Sequence, residues 1–229
     1  MGNVASKSLT LVYYRGAWQI AQLCDFNPAP CGQGVEIHRF LTIPKNISKL
    51  KAVIDADLLY EPTQDQKDLF EADARSLSFL KEVEYVKERN KNGDVTFSFY
   101  DITNNYKEKA FRAALRHVCP TMLGEIGAMI LEHAAVSTKP FPIIKTTSFA
   151  NVSWAYVIDL DEDLLEVFGY KDQGCMGGEC RVIENHRFDE VDWAGPSGPP
   201  GDCLGQWKFS RIPTRQDFLL KLRDYRLLD

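Results

Sequence analysis

The chain has 229 residues, long enough to bury a sizeable core in one domain. Its 45% hydrophobic and 26% charged residues are those of a folded globular protein and exclude a disordered one. The formal net charge of -5, with Lys and Arg scattered among Asp and Glu, argues against nucleic acid as a partner, because phosphate binding needs a basic footprint.

The chain opens Met1-Gly2-Asn3-Val4-Ala5-Ser6-Lys7. With Met1 removed, Gly2 presents the amine that a eukaryotic N-myristoyltransferase acylates, and Ser6 stands where that motif requires it. One acyl chain beside the single cation Lys7 predicts weak, reversible membrane association through the N-terminus. Gly2 has no side chain to attack with, so an N-terminal-nucleophile hydrolase is excluded unless the chain is cut internally. No run of about 18 apolar residues is present, and Leu9 to Tyr14 is too short for a signal-peptide core. The expected location is therefore cytoplasmic, with a peripheral membrane fraction, and the six cysteines are expected as free thiols.

Ser8 to Tyr14 and Ala17 to Cys24 read as two strands joined by a hairpin at Arg15-Gly16. A Pro- and Gly-rich loop, Asp25 to Gly34, leads into a short helix over Val35 to Leu41. Asn46 is expected to cap a second helix, and Thr63-x-x-Gln66 forms a capping box for a third that runs toward Leu80. A switch to period two, at Val83 and Tyr85 and then at Val95, Phe97 and Phe99, predicts a hairpin turning at Asn92-Gly93. Tyr106 to Val118 carries a helical stripe that Pro120 breaks, and Leu123 to Ala134 continues it as another helix. Val152 to Leu160 and Leu164 to Gly169 predict two strands around Asp161-Glu162-Asp163, with Asp159 and Asp161 turned outward. Residues 171–205 are expected to be a flexible Gly-, Pro- and Cys-rich loop, followed by a strand over Gln206 to Ile212 and a helix capped by Thr214. The sum is a single α+β domain over 1–229, with six to eight strands in a mainly antiparallel sheet and about five helices.

The segment Ala21-Gln22-Leu23-Cys24-Asp25-Phe26-Asn27-Pro28-Ala29-Pro30-Cys31-Gly32-Gln33-Gly34 resembles a family of uncharacterised, often fungal proteins. Their pattern runs Ala-Gln-Tyr-x-Gln-Trp-Asp-Gly-Tyr-Pro-x-Gly-Gln-Gly, which Ala21, Gln22, Pro30, Gly32, Gln33 and Gly34 match. Met1-Gly-Asn-Val4 and Trp154-Ala-Tyr-Val-Ile-Asp-Leu-Asp161 are similar to the same proteins. The resemblance implies a shared fold and a candidate site, and brings no established activity with it. Asn27 replaces the family's Asp, Asp25 its Gln, Pro28 its Gly and Ala29 its Tyr, so a carboxylate at the family's position is absent here.

The candidate ligand site is accordingly Gln22, Asp25, Gly32, Gln33 and Gly34, with Trp154 beside them. Gly32 and Gly34 at a helix start could expose backbone N–H groups to an anion or a carbonyl oxygen. They could equally serve only to make a sharp turn. Cys24 or Cys31 near that helix start, with His38 one or two turns on, is the weak catalytic candidate, and Asp25 the weak carboxylate. Cys175, Cys180, His186 and Cys203 are a weak zinc set, because structural sites favour tighter Cys-x2-Cys spacing. His117 and His133 are expected at core or boundary positions of their helices. No pattern names a cofactor. The expected function is a binding or interaction module for a small molecule or protein partner; a small-molecule enzyme of hydrolase or transferase type using the same loop is the alternative.

Overall fold

The computed structural model describes residues 7–91, 104–145, 152–169 and 202–223. Its elements are α+β: among the described residues there are seven strands and six α-helices. They divide into two compact units, Met1–Tyr60 with Gly124–Asp229, and Glu61–Leu123.

The first unit is built on a five-stranded sheet in the order β2-β1-β5-β6-β7. Strands β1 (Lys7–Tyr14) and β2 (Ala17–Cys24) form an antiparallel hairpin, as their alternating apolar residues and the Arg15-Gly16 turn require. Arg15 and Gly16 have φ of 57° and 72°, the left-handed pair whose twist suits a two-residue hairpin. Strand β5 (Val152–Asp159) runs parallel to β1, while β6 (Leu164–Gly169) and β7 (Asp202–Lys208) continue antiparallel. Strands β3 (Leu59–Tyr60) and β4 (Phe141–Pro142) make a separate two-stranded pair.

Both faces of the large sheet are buried. One carries Val12, Ile20, Trp154, Tyr156, Ile158 and Val167 against Ile37, Phe40, Leu50 and Phe218 of the helices. Those helices are α1 (Val35–Leu41), α2 (Pro44–Asp55), α5 (Ile130–Ala135) and α6 (Arg215–Arg223). The other face carries Leu9, Leu11, Ala155, Val157 and Phe168. This is why β5 reads as an almost unbroken apolar run rather than an alternation. The second unit is a pair of helices, α3 (Gln64–Lys91) and α4 (Asn104–Val118), closed by a 3₁₀ turn over Pro120–Met122. Its core is small, with Ala74, Ala114, Leu115 and Leu123 at the centre.

Several expectations are corrected. Val83 and Tyr85 lie in α3, not in a strand: the helix begun by the Thr63–Gln66 box continues through them to Lys91. That box is formed as expected, with Gln66 N–H donating to Thr63 Oγ1 at 3.3 Å and Thr63 N–H to Gln66 Oε1 at 2.9 Å. The other half of the expected hairpin, Asn92 to Phe99, lies outside the described residues. Helix α2 starts at Pro44, whose fixed φ suits a first helical position, so Asn46 sits inside the helix and donates from Nδ2 to Phe40 O. The helix expected over Leu123 to Ala134 shrinks to a 3₁₀ turn over Gly127–Met129 plus α5, because Gly127 adopts φ +45° and ends any right-handed helix there. Residues 202–205 belong to β7 rather than to a loop, and Phe209–Arg211 is a 3₁₀ turn rather than strand.

Candidate functional site

The 22–34 loop leaves the sheet at the end of β2 and returns through a π-helical turn, Pro30–Gly34, that feeds α1. Its polar groups are largely turned inward. Gln33 is buried; its Oε1 accepts from Ala128 N–H at 2.6 Å and its Nε2 donates to Phe26 O at 3.3 Å. Gly32 N–H donates to Ala29 O and Gln33 N–H to Asn27 O, so neither is offered to an outside anion. Asp25 N–H donates to Gly124 O, while the Asp25 side chain is exposed.

The glycines hold close approaches. A β-carbon on Gly32 would collide with the Asn27 side chain and carbonyl, and one on Gly127 with the Gln33 amide and the Cys24 sulfur. A β-carbon on Gly34 would come within 3.2 Å of the Tyr156 ring. Tyr156 supplies an aromatic contact to the loop: its hydroxyl donates to Pro28 O at 3.0 Å. Trp154 is buried two residues earlier on β5, in register with Ser8.

The catalytic candidates are not joined by hydrogen bonds. Cys24 is fully buried and its thiol donates to Phe26 O at 3.0 Å. Burial pushes that thiol up to about 11, and the neighbouring Asp25 carboxylate adds to the rise. Only about one molecule in 10⁴ carries the thiolate at pH 7, the reverse of what a nucleophile needs. The Nε2 of His38 is paired with Pro213 O at 2.8 Å, and its ring lies 5.3 Å from that of Phe218. Cys31 is exposed. Cys119, in the second unit, is likewise raised by burial and pairs with Thr121 Oγ1 at 3.3 Å.

Of the weak metal set, Cys175, Cys180 and His186 lie outside the described residues; Cys203 is half-buried, with Sγ 3.5 Å from Gly205 O. Gly2 also lies outside them. His117 is exposed rather than at a boundary, and His133 is half-buried. Asp159 is buried rather than outward-facing, because its Oδ1 accepts the N–H groups of Asp161 and Glu162 and so ties the β5–β6 turn. Asp161 in turn accepts Arg15 N–H at 2.9 Å and Gly16 N–H at 3.1 Å, locking that turn to the β1–β2 hairpin. Both carboxylates are structural.

Sequence reasoning singled out Gln22 but missed two hydroxyls that lie beside it, those of Ser8 and Thr10. Ser8, Thr10 and Gln22 are buried on the helix-covered face, with Thr10 directly opposite Gln22 and Ser8 opposite Cys24 in the β1–β2 register. Among the described residues Thr10 Oγ1 and Gln22 Oε1 make no hydrogen bond, although Gln22 Nε2 donates to Leu23 O. The Ser8 hydroxyl is turned to the Cys24 thiol, and that contact opposes part of the rise in the thiol's pKa. Tyr156 stands beside Thr10 on the other flank, in the β1–β5 register. The signal in the sequence was Ser8 and Thr10 alternating with Leu9 and Leu11, which reads as an ordinary solvent face.

Compared with known proteins, the chain matches no family model, no curated protein and no solved structure. Among the described residues no helix is long and apolar enough to cross a membrane.

Proposed function

We propose that this chain is a ligand-binding module whose ligand engages the polar row Ser8, Thr10 and Gln22 beneath the 22–34 loop. The observation that carries this reading is the two oxygens, Thr10 Oγ1 and Gln22 Oε1, that are unpartnered among the described residues. A buried polar group without a partner costs about 1–3 kcal/mol, so the two together cost about 2–6 kcal/mol. That is a large share of the whole stability of an ordinary domain, about 5–15 kcal/mol. Burying such a row inside an otherwise apolar face is a poor way to stabilise a fold and a reasonable way to keep a site ready.

Two hydroxyls and an amide oxygen suit a small ligand that offers N–H or O–H donors and accepts in return. The raised thiol of Cys24 and the separate engagement of His38 favour binding over nucleophilic chemistry at this loop. An acyl chain on Gly2 would add weak tethering to a membrane. A thermal-shift screen of small hydroxyl-, amide- and ammonium-bearing molecules tests the proposal on wild type and on Thr10→Val and Gln22→Leu. Hits that stabilise wild type and lose their effect in both variants support it; hits that stabilise all three proteins equally overturn the placement.

A further inference from the structure

A concavity lies in the first unit, lined by none of the residues of the polar row. An open groove of about 710 Å³ runs between the α1–α2 corner, the β5–β6 turn and the chain after β7. That volume falls within the range of small-molecule sites, about 300–1,000 Å³. One side is apolar, with Leu41, Pro44, Ile47, Phe209 and Ile212. The other carries two opposite-charge pairs: Lys51 Nζ lies 3.0 Å from Asp163 Oδ1, and Lys208 Nζ lies 3.5 Å from Glu162 Oε2.

The turn itself is fixed. Asp163 holds φ 51° while its carbonyl accepts Phe209 N–H at 2.8 Å, and Lys208 Nζ also donates to Glu162 O. The four charged groups therefore stay at this rim, yet three of their side chains are more than half exposed: Glu162 68%, Asp163 61% and Lys208 53%. Exposed ion pairs contribute about 0–1 kcal/mol, so exchanging one for a ligand's group costs little.

The sign balance selects the ligand. Two cations and two anions cancel, so a purely anionic ligand would gain two lysines and face two carboxylates, and a purely cationic one the converse. A molecule carrying one ammonium and one carboxylate on an apolar body meets each charge with its opposite and lays its body on the Leu41, Ile47 and Phe209 side.

We infer that this groove binds a small zwitterion with apolar side chains, of the short-peptide class. The site is independent of the polar row, and its success or failure leaves that proposal standing. The test is calorimetric titration of the full chain with the dipeptide leucyl-leucine, its N-acetyl form and its C-terminal amide. Each capped form removes one ligand charge. The expected result is millimolar or tighter binding of the free dipeptide, at least tenfold weaker binding of each capped form, and at least tenfold weakening by the rim variant Lys51→Gln. Equal binding of free and capped forms, unchanged affinity in Lys51→Gln, or no heat from the free dipeptide at millimolar concentration overturns the inference.

Discussion

Replacing Thr10 by Val exchanges one hydroxyl for a methyl of nearly the same shape and keeps the β-branched side chain that a strand favours. Thr10 is fully buried at the centre of β1, between Gln22 on β2 and Tyr156 on β5, and among the described residues its Oγ1 makes no hydrogen bond. Removing an unpartnered hydroxyl relieves part of a penalty of about 1–3 kcal/mol, so the free variant should be more stable than wild type by about 1 kcal/mol. For a chain of this length that is a rise of about 2–4 °C in Tm. Urea denaturation followed by tryptophan fluorescence measures the difference, with Val12→Thr on the same strand as a control that should lose stability. If Thr10→Val instead loses about 1 kcal/mol or more, the hydroxyl is satisfied within the folded protein, and the argument from unpartnered oxygens is wrong.

Three further outcomes follow from the same geometry. Gly127→Ala places a β-carbon against the Gln33 amide and the Cys24 sulfur at a residue with φ +45°, and should cost about 2 kcal/mol or more by urea denaturation; a neutral result would mean the loop is not held as described. Because burial raises the folded-state pKa of Cys24 from 9.0 to about 11, the unfolded thiol ionises first. The thiol's contribution is then full below about pH 9 and is lost as the pH rises toward 11, so wild type should lose more stability than Cys24→Ala over that window; parallel pH profiles would refute the shift. In a eukaryotic host, intact mass should show Gly2 acylated and Gly2→Ala without the acyl increment, with the variant released from membranes; a wild-type mass matching only loss of Met1 ends that reading.

Much of the fold was legible from local chemistry. The Arg15-Gly16 and Asp161–Asp163 turns and the Thr63–Gln66 box each involve residues within a few positions of one another, and all three formed as expected. Val83 and Tyr85 misled because two alternating apolar residues are too short a run to outvote a helix already nucleated upstream. Leu123 to Ala134 misled because helical spacing was followed across Gly127, whose left-handed φ is a tertiary choice made by the closeness of Gln33 and Cys24.

The candidate site was legible only in part. Gln22 and the Gly32-Gln33-Gly34 run do mark a tightly built loop, but Gly32 and Gln33 are engaged by the backbone of the loop and of Ala128. Ser8, Thr10 and Tyr156 were not visible as partners, because strand pairing between residues up to about 150 apart in sequence is what sets them side by side. The two rim pairs of the groove join Lys51 to Asp163 and Lys208 to Glu162, and their separation hides them in the same way.

Methyl and side-chain amide NMR during titration with a molecule found by the thermal-shift screen tests the central claim most directly. The account predicts that the Thr10 methyl and the Gln22 amide resonances shift together and saturate at one Kd, matching the thermal-shift concentration dependence. Shifts confined to other residues, with Thr10 and Gln22 unmoved at saturation, would contradict it.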